Sequence, residues 1–152
     1  MKYYLTNLSP QNKQGTYEKI IDELWDKSRN GTELANLSNT ERPLIISQII
    51  QDSINGGGIN SFFYNNANSL TQVGLDAFQK IGLIKVFEIF KTAIDTFPKQ
   101  PIPDQIEYCR AILEALPDEN ATDEKWEKLT DEFYELEAYI LDGNLAYVKN
   151  NF

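Results

Sequence analysis

The sequence predicts an all-α fold, a compact multi-helix single domain with a long acidic C-terminal helix. Apolar residues recur at three- and four-residue steps through most of the chain, and glycines and prolines fall between those stretches. No segment alternates apolar and polar residues between turn signals, residues 3–5 being the one short candidate strand. At 152 residues the chain is long enough for one substantial core and too short for two, so residues 1–152 are expected to form one domain, with 1–15 an extended or poorly ordered arm.

The first helix is expected over residues 16–28, where Tyr17, Ile20, Ile21, Leu24 and Trp25 share a face and Asn30-Gly31 supplies a left-handed stop. Thr40 is a cap candidate for a second helix that admits Pro43 in its first turn and runs to about Asn55. Its isoleucines, at 45, 46, 49, 50 and 54, are too dense for a one-sided surface helix, which makes this element central and largely buried. Gly56-Gly57-Gly58 stops it, and a short helix with Phe62 and Phe63 inward follows over 59–65.

Residues 69–81 form the next helix, ended at Gly82, and 83–97 another, ended at Pro98. After a stiff connector, Pro103 opens a helix whose apolar stripe includes Cys109, so that thiol points into the core. A last long helix over 122–141 carries Trp126, Leu129, Phe133, Leu136 and Ile140 inward and stops at Gly143, before a short terminal piece.

Charge is distributed unevenly. The formal net charge is −9, yet residues 1–100 hold ten acids and ten bases while 101–152 hold thirteen acids and four bases. On a 100°-per-residue wheel, Glu124, Glu127, Asp131, Glu135 and Asp142 lie opposite the Trp126, Phe133 and Ile140 stripe as an acidic ridge, with Lys128 the nearest base. Like charges four residues apart cost only a few tenths of a kcal/mol, so a ridge of this kind serves solubility as readily as it serves the electrostatic capture of a basic protein.

The chain has no histidine, which removes the commonest general base, the commonest zinc ligand and the usual partner of serine and cysteine nucleophiles. Catalysis is therefore not expected, and no cofactor or metal motif is present. Gly56-Gly57-Gly58-Ile59-Asn60-Ser61 follows a helical pattern instead of a strand and lacks the lysine of a phosphate-binding loop. The acidic run 118–124 fails the calcium-loop pattern, with Asp123 where glycine belongs and Leu129 where the closing glutamate belongs. The alternative to a partner surface is a small-ligand or enzymatic pocket near residues 56–66, with Asn60, Tyr64, Asn65 and Asn66 as neutral hydrogen-bonding groups.

The first seven residues lack the apolar core and cleavage site of a secretory signal, and the uncharged stretch 53–75 is too rich in asparagine and glycine to span a bilayer. The expected location is the cytoplasm, with no membrane association. Asn-x-Ser/Thr triplets at Asn7, Asn30, Asn36 and Asn120 are then chance occurrences in an asparagine-rich chain.

Three stretches carry a family resemblance. Asn55-Gly56-Gly57-Gly58-Ile59-Asn60-Ser61-Phe62-Phe63-Tyr64-Asn65 is similar to an Asn-Gly-Gly-aromatic-x-Gln-aromatic-Phe-x-Asn signature, with Gly56, Ile59 and Ser61 departing from it. Ala77-Phe78-Gln79-Lys80-Ile81-Gly82 and Leu129-Thr130-Asp131-Glu132-Phe133-Tyr134, with the later Leu145-Ala146-Tyr147, complete the match. Over residues 40–152 the chain thus resembles a bacterial family of helical domains whose named member is a DNA-mimic protein. The resemblance implies carboxylates standing in for DNA phosphates against a basic, DNA-binding protein partner, with no direct nucleic acid binding. It transfers no site residues, and a monomer and a homodimer are equally compatible with it.

Overall fold

The computed structural model describes residues 2–6 and 8–152, so the triplet at Asn7 lies outside the described residues. Among them are seven α-helices: α1 Lys13–Lys27, α2 Arg42–Asn66, α3 Thr71–Ile81, α4 Ile84–Asp95, α5 Ile106–Glu114, α6 Ala121–Tyr134 and α7 Glu137–Asn151. Short 3-10 turns occupy Lys2–Leu5 and Leu34–Asn36, and the described residues contain no strand. Among the described residues the N-terminal stretch holds a 3-10 turn at Lys2–Leu5 and a helix that begins three residues before position 16, where an extended or poorly ordered arm and a short strand were expected. No helix among the described residues is long and apolar enough to cross a membrane.

The central helix is α2, as its dense isoleucines require. Leu44, Ile45, Ile50, Phe62 and Phe63 are fully buried, and α2 packs most extensively against α3 on one side and α6 on the other. The aromatic core lies beside its second half. Phe63 stacks on Trp126 at 4.8 Å between ring centroids, and Phe62 meets Phe90 edge-on at 5.2 Å. The buried Trp126 ring keeps its N–H satisfied through a 3.0 Å bond to the Ala93 carbonyl, which ties α6 to α4. Gly74 gives α3 its closest approach to α2, since a Cβ there would collide with Ile50 and lie 2.9 Å from the Phe90 ring.

The α2 cap differs from the expected one. The Ser38 hydroxyl, not that of Thr40, accepts the Glu41 N–H at 3.2 Å, while the Glu41 carboxylate accepts the Ser38 N–H at 2.8 Å, a reciprocal capping box in the turn that leads into the helix. The same carboxylate takes both hydrogen bonds from Lys27, at 2.7 and 2.8 Å, and so pins the end of α1 to the start of α2. Nearer the start of α1, the buried Tyr17 hydroxyl donates to Gln48 at 3.2 Å and accepts from Asn144 of α7 at 2.9 Å. Burial, with a smaller contribution from Asp52, holds the Tyr17 phenol far above its ordinary range, so it stays a neutral donor.

In the C-terminal half, Pro103 does not open α5, whose first residue is Ile106. The Cys109 thiol instead donates to the Pro103 carbonyl at 3.3 Å, and Cys109 is buried as expected. The single helix expected over 122–141 is two helices. The Leu136 N–H bonds to Phe133 three residues back at 3.0 Å, and this tight turn separates α6 from α7. Gly143 sits inside α7 and is no stop, because its missing side chain admits Leu83, whose Cδ2 would be 2.5 Å from a Cβ.

Gly74→Val should lower the urea midpoint, at a cost of about 1–3 kcal/mol, because neither Ile50 nor Phe90 has room to retreat. For Glu41, burial pushes the carboxyl up but the bonds from Lys27 and Ser38 outweigh it, holding it below its ordinary value of 4.5. Its contribution is therefore present above that pH and is lost as the pH falls through the depressed folded-state value. Urea unfolding across the acid range should show Glu41→Gln costing about 1–2 kcal/mol at neutral pH, less where wild-type Glu41 is itself protonated; half-exposed Lys27 sets the discount.

Candidate interaction surface

The break in α2 positions the candidate site. Gly57 and Gly58 leave helical geometry, and Gly58 adopts φ 77°, a left-handed value that only glycine takes without strain. The helix resumes at once, so the predicted stop at the glycines is a kink within one element, and residues 59–66 continue it. A kink exposes backbone groups that a straight helix would pair internally. Here α6 supplies partners. The Thr130 hydroxyl accepts the Ile59 N–H at 3.1 Å while donating to the Trp126 carbonyl at 2.7 Å, and the Tyr134 hydroxyl donates to the Ile54 carbonyl at 3.1 Å.

Between the kink and α6 lies an open groove of about 520 Å³. Gly57, Gly58 and Asn60 form one wall, and Glu127, Asp131 and Tyr134 the other. Asp123 closes one end, where its carboxylate accepts from Asn60 and from Asn120, each at 2.7 Å. Asn120 is also the α6 N-cap, accepting the Asp123 N–H at 2.9 Å. No lysine or arginine lines the groove, so it offers hydrogen-bond acceptors and an aromatic face, a combination suited to cations.

The structure brings four of the five predicted ridge residues together. Glu124, Glu127 and Asp131 of α6 and Glu135 at its C-cap are exposed on one side, and none of them has an ion-pair partner among the described residues. Asp142 does not join them. It lies on α7 beyond the Leu136 turn and pairs with Lys13 of α1 at 2.6 Å. Asp123, omitted from the expected ridge, belongs to it at the groove; its asparagine neighbours at 60 and 120 gave no periodic signal.

The alternative pocket near 56–66 is realised only in part. Asn60 faces the groove, but Asn65 bonds to Ser61, Asn66 to Ser53 and the Phe62 carbonyl, and Tyr64 to Glu114 of α5 at 2.7 Å. The hydrogen bond to Glu114 raises the Tyr64 phenol above its ordinary range, and Arg110 covers the ring at 4.8 Å. Among the described residues no group of three or more His, Cys, Asp or Glu side chains is placed to hold a metal ion.

If α6 latches the kink through Thr130, Thr130→Val leaves the buried Ile59 N–H without a partner, at a cost of about 1–3 kcal/mol. Hydrogen exchange should then speed at the Ile59 amide well before the α3 and α4 amides, and uniform acceleration everywhere would show that the bond has no local role.

Comparison with curated proteins finds no match, and comparison with solved structures finds none either. A family model described as DMP19-like protein matches residues 35–151, from the turn before α2 to the end of α7, leaving α1 outside it. The match reaches five residues nearer the N-terminus than the resemblance over 40–152 and includes both walls of the groove. The chain belongs to the DMP19-like protein family, named for DNA mimic protein 19.

Proposed function

We propose that this protein is a non-catalytic, DNA-mimic-like interaction protein whose α6 face occupies the basic surface of a DNA-binding protein in the cytoplasm. The observation that carries the reading is the set of four exposed carboxylates, Glu124, Glu127 and Asp131 of α6 and Glu135 at its C-cap, which form no ion pair with a cation of this chain among the described residues. Family membership supports the class of function.

The magnitudes are consistent with a mimic that works by steering. From Glu124 to Glu135 the helix rises about 16 Å, which gives one carboxylate per roughly 5 Å against one phosphate per about 3.4 Å along a DNA strand. The face thus resembles a single strand at reduced density. Its salt dependence is governed by screening over a Debye length of about 8–10 Å. Asp142 takes no part, because Lys13 already neutralises it.

The test uses a partner captured from host cells by the intact chain. Converting Glu124, Glu127 and Glu135 to Gln and Asp131 to Asn should slow association about tenfold at low salt and remove most of the salt dependence, with the fold unchanged. Duplex DNA should compete with the wild-type protein for that partner. Unchanged association and salt dependence in the quadruple variant would leave this face a solubility feature.

A further inference from the structure

We propose that the groove between the broken α2 and α6 seats one arginine side chain of the partner, clamped by Glu127 and Asp131 and stacked on the Tyr134 ring. This rests on the α6 face being the partner surface and adds what that surface selects.

Glu127 and Asp131 are one helical turn apart, which places their Cβ atoms about 5–6 Å from each other on the groove side of α6. Both are exposed and have no hydrogen-bond or ion-pair partner among the described residues, unlike Asp123, which Asn60 and Asn120 already occupy. Tyr134 lines the same groove with 45% of its surface exposed. Its hydroxyl is tethered to the Ile54 carbonyl at 3.1 Å, so the ring is held in place before any partner arrives. The opposite wall includes Gly57 and Gly58 of the roughly 520 Å³ groove, and a Cβ at Gly58 would meet Thr130 at 3.3 Å within it.

A guanidinium fits this arrangement better than an ammonium. It is planar, presents donors in a fork that reaches two carboxylates at once, and stacks on an aromatic face. A lysine pairs with one carboxylate as a strongly hydrated point charge and gains less from the ring. The surface should accordingly discriminate between two cations of equal charge, which an unstructured acidic ridge does not.

The experiment titrates the isotope-labelled intact chain with octa-arginine and with octa-lysine at physiological salt, following affinity and backbone amide shifts. Octa-arginine should bind about three- to fivefold more tightly, with the largest shifts at Gly57, Gly58 and Tyr134. The Glu127→Gln, Asp131→Asn double variant should lose that preference. The Glu124→Gln, Glu135→Gln double variant should weaken both peptides alike and keep it. Equal affinities with shifts spread along α6 overturn the groove and leave the acidic face standing. Failure of both peptides to bind removes both ideas. Free arginine binding as tightly as the peptide, with the same shifts, overturns the docking role in favour of a metabolite site.

Discussion

The structure depends on the hydrogen bonds by which α6 accepts a break in the middle of the most buried helix. The first half of α2 packs its isoleucines against α3, with Ile50 seated over Gly74, and the second half presents Phe62 to Phe90 and Phe63 to Trp126. A straight helix of 25 residues would fix the angle between those two sets of contacts; glycine lets it change, and Thr130 and Tyr134 satisfy Ile59 and Ile54 at the joint. The helix that latches the bend is also the helix that carries the unpaired carboxylates. Core and surface are thereby coupled through a single helix, whose latch residues Thr130 and Tyr134 line the same groove as Glu127 and Asp131.

That coupling has an electrostatic side. Trp126, Leu129 and Phe133 fix the rotation of α6 against α2 and α4, and with it the direction in which Glu124, Glu127, Asp131 and Glu135 project. Exposed carboxylates on a mobile loop would present an averaged field, whereas these stand on a scaffold whose inward face is set by large aromatic side chains. Elsewhere some surface charge is compensated in pairs such as Lys91 with Asp95, at 2.6 Å, and Arg29 with Glu33, at 2.5 Å.

Much of this was legible in the residues. The helical class, the buried α2, the inward Cys109 and the exposed acids on one side of Trp126 all follow from periodicity, because burial on a helix repeats every three to four residues. The turn at Leu136 did not. On a single helical wheel, Ile140, Asn144 and Val148 keep the phase of Trp126 and Phe133, so a break that preserves phase leaves no periodic trace, and this one contains neither glycine nor proline. Gly143 misled for the converse reason: its role is the contact with Leu83, a tertiary fact. The groove needed contacts across more than sixty positions, such as Asn60 with Asp123, which local pattern does not encode.

The attachment of α1 has a consequence of its own. This helix lies outside the family match, yet it is fastened by directional bonds, Tyr17 to Gln48 and Asn144 and Lys27 to Glu41, as well as by the buried Ile20 and Leu24. Apolar surfaces tolerate sliding, but a buried hydroxyl displaced by one helical position loses both of its partners at once. A helix held this way has one permitted seat, so residues 13–27 behave as an integral wall of the molecule, keyed into the same core that the matched region builds.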